Sequence, residues 1–446
     1  MNSLPREVLR NICSCLDRDD VRKFRLVCEA FSAVGADFIR PTRLLMFMSN
    51  YDFEKLVGLS ASKHLVRGLV SLGYAPITLR SPGEAEAEYT TSFFQSDYWV
   101  IPAGGYSRYK ALIDEQDRIL KEDKDFQWFL SVLPLFPRLR DFTLYCGNYR
   151  TLMRGGLYRY QLDPQHFRCP DKFIDIYAPS HRVGVVLRAL SGANLETLEI
   201  DHVDWRFFHQ GDAQLHTLFQ PIANLRNLTL IIDDEFESEN QDLNCCGDLL
   251  RTGALRKCLS TLTALRSLTI KIDSAANTFD RGLWHYDSSL NAPLPQIFPS
   301  GPAWTSLTSL TLSNIVCSRQ DMMEVLLQHK ETLRELHLED IYLWRTSWIP
   351  LLDSIRQELY LTRPRVSGFI AGRFEGGAKD GEWQFWRLLP IFILPPFNGR
   401  SEENSEWYGW RLVQDLGGLV NKYILEGGRA HPEMLTCPLT TENSGR

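Results

Sequence analysis

A six-residue hydrophobic pattern recurs along the chain, with apolar residues at its first, fourth and sixth positions. Six copies lie at residues 139–144, 195–200, 225–230, 265–270, 307–312 and 333–338. The last three positions of each copy alternate, which is the period of a strand that buries one face. Such a strand is too short to bury its apolar face alone, but stacked copies bury a continuous core. The pattern therefore predicts a stack of short strands.

The pattern resembles that of leucine-rich-repeat proteins, whose strands stack in parallel along the inside of a horseshoe. The copies start between 26 residues (307 to 333) and 56 residues (139 to 195) apart, whereas such repeats usually recur every ~20–29 residues. The Asn or Cys typical of the family is replaced here by Gly147, Val203, Asp233, Asp273, Ile315 and Ile341. The resemblance implies an α/β fold: an irregular solenoid with parallel strands on its concave face, helices on its convex face and no regular Asn ladder.

The sequence predicts a chain in three parts. Residues 1–40 form an N-terminal helical block, residues 41–361 the solenoid, and residues 362–446 an aromatic-rich cap or tail. Long insertions into the solenoid are predicted at about 76–109, 145–185 and 273–304.

Local patterns predict further elements ahead of the first copy. Residues 43–48, which are apolar from Leu44 onward, are typical of a strand, and Val66 with Leu69 indicates a first, degenerate repeat. Apolar residues at helical spacing between Tyr109 and Leu133 predict one amphipathic helix that leads into the strand at 139–144.

Helical spacing dominates the N-terminus. Pro5 suits the first turn of a helix, because its missing N–H has no partner there in any case. A polar break at 17–20 follows, where Asp19 or Asp20 is expected to cap a second helix. A block of under ~40 residues rarely folds alone. Its apolar residues occupy more than one face of each helix, so another surface is expected to cover some of them.

The residue order in this block is specific. Stretches 4–12, 16–21 and 24–31 read Leu-Pro-x-Glu-Val-Leu-x-x-Ile, Leu-Asp-x-x-Asp-Val and Phe-Arg-Leu-Val-Cys-x-x-Phe. This resembles an F-box, the module by which F-box proteins dock on a Skp adaptor that joins a cullin–RING ubiquitin ligase. Phe31 stands where many members have Trp. The resemblance implies adaptor contact by Leu4, Pro5, Leu9, Ile12, Leu26, Val27 and Cys28. The alternative is an ordinary helical cap on the solenoid.

Two aromatic-rich regions lie outside the repeated pattern. Between residues 145 and 168, arginines alternate with tyrosines and a phenylalanine; this favours either an anionic-ligand patch or a loop packed on the rim. The tail contains Trp383, Trp386, Trp407 and Trp410. It is predicted to cap the last repeat, the alternative being a substrate-binding lid.

Composition limits the partners of the chain. With 446 residues, 44% of them hydrophobic, the chain is long enough for a large core. A net charge of -6 and a pI near 6.0 argue against a nucleic-acid partner, which usually needs a basic face. No N-terminal signal pattern and no apolar run of ~18 residues is present. We therefore expect no membrane association and an intracellular location, cytoplasmic or nuclear.

Candidate catalytic and metal-binding residues are scattered. The pairs Cys13/Cys15 and Cys245/Cys246 lack a second pair at metal spacing. No phosphate-binding loop, nucleophile elbow or paired-histidine helix is present. His202 near Asp204, and His337 on a predicted strand, are interpreted as surface or packed histidines. The sequence therefore predicts no catalytic residue, metal or cofactor, and a hydrolase is only a remote alternative.

The resemblance as a whole is to F-box proteins with leucine-rich repeats, the substrate receptors of Skp–cullin–F-box ubiquitin ligases. It implies a Skp adaptor, a cullin–RING ligase bound through it, and an unidentified target protein. A binding scaffold without a ligase role is the alternative.

In each copy, the residue between the last two apolar positions points away from the core. This column is predicted to bind the target and consists of Thr143, Glu199, Thr229, Thr269, Thr311 and His337. The residues beside this column include Asp141, Asp201, Glu335 and Glu339. With carboxylates at both ends and threonines in the middle, this face favours a basic target segment. A merely solvated face, the region 145–168 and the Trp-rich tail remain alternatives.

Overall fold

The computed structural model describes most of the repeated region. The described residues are 4–35, 37–38, 42–63, 65–76, 78–79, 105–146, 180–233, 250–273, 294–299, 301, 303–343, 346, 348–373, 383–387 and 416–426. The chain divides into two compact units, residues 1–207 and 208–446. The three-part division proposed from the sequence stays a prediction.

The N-terminal block of unit 1 contains the helices α1 (Arg6–Ser14), α2 (Arg18–Phe24) and α3 (Glu29–Gly35). Pro5 directly precedes α1. Asp17 caps α2, because its carboxylate accepts a hydrogen bond from the Asp20 N–H at 2.7 Å. The predicted cap at Asp19 or Asp20 is therefore wrong by two or three positions. The core of the block consists of Leu9, Cys13, Val21, Phe31 and Val34.

The rest of unit 1 alternates strands with helices. Its strands are β1 (Arg43–Phe47), β2 (Ser71–Ala75), β3 (Asp141–Tyr145) and β4 (Thr197–Asp204). Its helices are α4 (Asn50–Ala61), α5 (Gly105–Lys121), α6 (Lys124–Val132) and α7 (Ser180–Ala189), with 3-10 turns at Leu133–Leu135 and Leu190–Gly192. The strands pair in parallel in the order β1-β2-β3-β4. Phe53 of α4 and Phe129 of α6 pack on Tyr74 of β2, with ring centroids 5.9 and 4.8 Å away.

Unit 2 has the same alternation. Its strands are β5 (Asn227–Asp233), β6 (Ser267–Asp273), β7 (Ser309–Cys317), β8 (Glu335–Leu343), β9 (Arg363–Ser367), β10 (Phe369–Arg373) and β11 (Trp383–Arg387). Its helices are α8 (Asp212–Phe219), α9 (Ala254–Ser260), α10 (Leu294–Ile297), α11 (Arg319–Leu327), α12 (Trp348–Glu358) and α13 (Leu416–Glu426), with a 3-10 turn at Gln220–Ile222. A further 3-10 turn, Trp205–His209, spans the boundary between the units.

Strands β5 to β9 pair in parallel in sequence order. Strand β10 pairs in parallel with the end of β8, and β11 returns antiparallel to β10. Helix α13 lies along β9, where the Asn421 side-chain oxygen accepts a hydrogen bond from the Val366 N–H at 2.8 Å. Strand β9 thus contacts a helix through its main chain.

The six copies of the hydrophobic pattern coincide with β3 to β8, and their apolar residues are buried. The predicted α/β class, parallel strands alternating with helices after an N-terminal helical block, is confirmed. This arrangement is consistent with leucine-rich repeats. Each unit builds its own core from these residues, since Leu198 and Leu310 are fully buried at equivalent positions.

Two strands lie where the pattern is degenerate. The repeat that contains β2 has Leu69, Leu72 and Tyr74 at its three apolar positions. It therefore begins three residues after the repeat predicted to start at Val66. Strand β9 lies beyond residue 361, where Pro364 and Val366 occupy the buried positions opposite Leu336 and Leu338. Pro364 disguises this repeat in the sequence, because proline is rare within sheets.

A left-handed residue recurs two positions after the last apolar residue of the pattern. His202, Asn314 and Asp340 have φ angles of 55°, 59° and 51°, and Gly368 has 76°. At this point the chain turns so that the following residue returns to the core. Val203, Ile315 and Ile341 are accordingly buried. These are positions where the leucine-rich-repeat family would carry Asn or Cys. The Asn314 amide, one residue earlier, donates to the carbonyl oxygen of Ile272.

The predicted single helix over residues 109–133 is two helices. The chain breaks between α5 and α6 at Asp123, whose φ of 47° is left-handed. Arg182 of α7 reaches this break: its guanidinium donates to the Asp123 carboxylate at 2.9 Å and to the Leu120 carbonyl oxygen at 2.6 Å. An arginine from a distant helix therefore stabilises a turn that helical spacing alone cannot reveal.

The same guanidinium donates to the buried carboxylate of Asp125 at 3.1 Å, and the Tyr74 hydroxyl lies 3.3 Å from its other oxygen. Only 2% of the Arg182 side chain is exposed. Burial raises the pKa of Asp125, while the nearby Arg182 charge opposes that rise. Each buried charge therefore depends on the other for compensation.

We expect Arg182→Met to destabilise unit 1 by about 3–5 kcal/mol, because it leaves the Asp125 carboxylate buried without a counter-charge. The measurement is denaturant unfolding of the full chain, with hydrogen exchange assigning the loss to unit 1. Adding Asp125→Leu to Arg182→Met should recover part of the loss.

Arg188→Met is the matched control, because Arg188 is an exposed arginine on the same helix that lies over the Phe126 ring. It should cost less than about 1 kcal/mol. Equal losses for Arg182→Met and Arg188→Met would show that the buried pair does not stabilise the fold.

Candidate functional site

The N-terminal block presents apolar side chains to solvent. Leu4, Val8 and Ile12 are exposed. Val8 and Ile12 are four residues apart and lie on one side of α1, and Leu4 directly precedes Pro5 at the start of this helix. Leu26 and Val27 lie between α2 and α3 and are 86% and 59% exposed. We call these five residues, together with exposed Pro5, the apolar patch.

The turn that carries Leu26 and Val27 is fixed from inside the block. Their N–H groups donate to the carbonyl oxygens of Lys23 and Phe24 at 3.0 and 3.2 Å. The Arg25 side chain folds back, so its Nε donates to the Ser32 carbonyl oxygen at 3.2 Å.

Gly35 makes this packing possible, because a Cβ at this position would lie 2.5 Å from Arg25 Cγ. The stem of Arg25 thus holds α3 against the turn. Leu26 and Val27 consequently project outward from a supported backbone.

The residues assigned to adaptor contact by the family resemblance occupy different environments. Leu4, Pro5, Ile12, Leu26 and Val27 belong to the apolar patch. In contrast, Leu9 is 3% exposed and lies in the core of the block, and Cys28 is half-buried against that core. Val8 is exposed instead, and its spacing of four residues from Leu4 and Ile12 is the sequence signal for it.

Comparison with known families decides the nature of this block. The model of the F-box domain matches residues 1–38. An F-box domain occupies the N-terminus. This domain implies binding of a Skp adaptor and the role of substrate receptor in a Skp–cullin–F-box ligase, and F-box proteins are typically non-catalytic adaptors. The match covers 38 of 446 residues. No curated protein matches the chain significantly.

Opposite the buried apolar face, each sheet carries a second face, which we call the polar face. In unit 1 its central row runs through Gly73, Thr143 and Glu199, which are aligned by strand register. The Thr143 hydroxyl lies 3.5 Å from the Glu199 carboxylate. Partial burial and the nearby Asp201 raise the pKa of Glu199. Two carboxylates, those of Glu199 and Asp201, thus lie at this end of the predicted target-binding column.

In unit 2 the central row of the polar face is longer. Register aligns Thr229, Thr269, Thr311, His337 and Arg365 on five neighbouring strands. The structure thus brings together the four column residues predicted in this unit. Arg365 extends the row, and its place was hidden in the sequence because Pro364 disguises the β9 repeat.

Ion pairs change the charge expected at the C-terminal end of the column. Glu339 accepts from Lys271 at 2.9 Å, and Glu335 accepts from Arg363 at 2.8 Å. Arg365 then adds a positive charge. The prediction of acidic ends is therefore wrong for unit 2, because Arg363 on the adjacent strand and Lys271, two strands away on β6, neutralise the two glutamates.

The remaining candidates show no arrangement for catalysis in the part of the chain that the structure describes. His202 faces its neighbour Asp201, and His337 lies 2.8 Å from the Ser367 hydroxyl. Burial lowers the pKa of His337. Over the same residues, no group of three or more His, Cys, Asp or Glu is placed to hold a metal ion.

Burial raises the pKa of the Cys258 thiol to about 12, which keeps it unreactive. No helix in the described ranges is long and apolar enough to cross a membrane.

Other predicted surfaces are described only in part. Trp383 and Trp386 lie in β11. The aromatic region 147–168, Cys245/Cys246, Trp407 and Trp410 lie outside the described residues. The alternatives that place target binding at the rim or in the tail therefore stay predictions.

Burial separates residues that hold the F-box together from residues that can bind a partner. We expect Leu9→Ala to destabilise the block by about 2–5 kcal/mol, because it opens a cavity in a small core. The exposed neighbour substitution Val8→Ala should change stability by no more than about 0.5 kcal/mol. Hydrogen exchange of block amides in the full chain measures both; similar losses of protection would contradict this assignment.

Proposed function

We propose that this chain is the substrate receptor of a Skp–cullin–F-box ubiquitin ligase, with its F-box docking the Skp adaptor and its polar face binding a target protein. The observation that carries the first part is the apolar patch on an F-box domain. The chain supplies binding surfaces, and bond making is left to the cullin–RING ligase. An intracellular location follows from this role, because F-box proteins are intracellular.

The apolar patch has the features of a binding surface. Large apolar side chains that are exposed within one small domain commonly mark a protein–protein interaction site. The Arg25–Gly35 contact supports the turn below Leu26 and Val27, so little conformational entropy is lost on docking. Leu9 then contributes by supporting α1 from inside, and the contact set becomes the apolar patch with Cys28 at its margin.

The polar face supports target binding for a different reason. Strand register fixes its side chains in rows, so they form a rigid and ordered surface. Rigid scaffolds of this kind present recognition residues without ordering cost. Thr143 and Glu199 in unit 1, and the row from Thr229 to His337 in unit 2, are the proposed target-binding residues.

The second candidate function is a repeat-type binding scaffold without a ligase role. The polar face favours it as much as it favours the receptor, because both need a surface for a partner. The two functions differ in whether an adaptor binds the apolar patch. The receptor binds a Skp adaptor there, and a scaffold without a ligase role does not. Co-purification of the full chain with a Skp adaptor and a cullin supports the receptor, and their absence supports the scaffold.

For the adaptor interface, we expect Leu26→Ala with Val27→Ala to weaken binding of a Skp adaptor at least tenfold. Fully burying a leucine or valine side chain gains about 1.5–3 kcal/mol, so truncating both exceeds the ~1.4 kcal/mol that corresponds to tenfold. Calorimetric titration of the full chain with purified adaptor measures the change.

Leu130→Ala with Leu135→Ala is the control pair, because these leucines are also exposed in unit 1 but lie outside the F-box. The control should bind the adaptor normally, and both doubles should melt like the wild type. Undiminished adaptor affinity in Leu26→Ala/Val27→Ala would remove the apolar patch from the interface.

For the target interface, we expect Thr143→Arg in unit 1 or Thr269→Arg in unit 2 to remove target proteins from the ubiquitinated set recovered under proteasome blockade. A long charged side chain on either row obstructs the polar face without entering the core. Thr217→Arg on the exposed side of α8 is the control and should leave the set unchanged. If neither row variant alters the set while adaptor binding persists, the target site lies away from the polar face.

A further inference from the structure

A cavity opens on the polar face of unit 2 beside strand β9. Its volume is about 350 Å³. Thr311, His337 and Arg365 line it from three neighbouring strands, and Asn421 of α13 lines it from the side. It therefore extends the row of proposed target-binding residues beyond its last predicted member.

The cavity carries a net positive charge. Arg363 and Glu335, which also line it, pair at 2.8 Å and cancel each other. Arg365 is exposed, and no carboxylate of the described chain lies within 4.0 Å of its guanidinium. One positive charge is thus left for an incoming group.

The neutral groups around Arg365 include hydrogen-bond donors. The Asn421 oxygen accepts from the Val366 N–H, which leaves the Asn421 NH2 group as a donor. Thr311, whose side chain carries a hydroxyl, also lines the cavity. A guanidinium with hydroxyl and amide donors is the chemistry that recognises oxyanions, because arginine donates two parallel hydrogen bonds to a carboxylate or phosphate.

We propose that this cavity binds the oxyanion group of a target side chain, either a phosphate or a carboxylate, with Arg365 as the charged donor and Asn421 and Thr311 as neutral donors. This assignment deepens the proposed target-binding function and rests on it. It replaces the basic target segment predicted from the sequence with an anionic target group at this end of the polar face. A phosphorylated residue would make recognition switchable, whereas a carboxylate would make it constitutive.

The test uses the full chain and three fluorescent peptide libraries that differ at a fixed central residue: phosphoserine, glutamate or serine. We expect the phosphoserine or glutamate library to bind at least about tenfold more tightly than the serine library, since hydrogen bonds to a charged group are stronger than those to a neutral hydroxyl. Arg365→Gln should abolish this preference. Arg319→Gln, which alters an arginine on α11 bonded to Ser354, should preserve it.

Asn421→Asp is a second variant that keeps the fold, because a carboxylate oxygen still accepts the Val366 N–H. It places a negative charge in the cavity and should also abolish the preference. Preference for phosphoserine alone identifies a phosphorylated target, and preference for both anions identifies charge as the signal; both support the site. Equal binding of all three libraries, or a preference that survives Arg365→Gln and Asn421→Asp, overturns it.

Failure of this inference and failure of the proposed function are separate results. The libraries probe the cavity without an adaptor, so anion preference with no adaptor binding would reject the ligase role alone. Adaptor binding with no anion preference would reject the cavity assignment alone.

Discussion

The parallel ladder between very short strands is the constraint on which both units depend. A strand of five residues, such as Asp141–Tyr145, buries only two or three side chains and gains stability only beside another strand. Alternation then leaves every second residue on the opposite face, in register with its neighbours. The rows through Thr143 in unit 1 and Thr269 in unit 2 are therefore a direct consequence of how the core is built.

Much of this could be predicted from the sequence, because the period of two is local. The buried strand positions held by Phe142, Leu198 and Leu310 follow from the alternation of three consecutive residues. Prediction failed where a distant group decides the local structure. The break at Asp123 depends on Arg182, 59 residues away, and the neutralisation of Glu339 depends on Lys271, 68 residues away. The spacing of residues along the chain does not reveal pairs that are so far apart in sequence.

The candidate site could likewise be predicted from the sequence only in part. Order of residue types identified the F-box, but not which apolar residues face outward, because Val8 and Leu9 are adjacent and equally hydrophobic. Their opposite environments result from packing among three short helices. The positive end of the polar face in unit 2 was equally hidden, since Pro364 obscures the strand that carries Arg365.

The hydrogen bond between the Asn421 side chain and the Val366 N–H limits how a partner can bind at strand β9. Sheets with an open edge accept a peptide as an extra strand, and such β-augmentation reads main chain rather than sequence. At Val366 that donor is already taken by the chain's own amide side chain. A partner approaching there meets side chains instead, which favours discrimination between sequences and disfavours end-to-end self-association of the sheet.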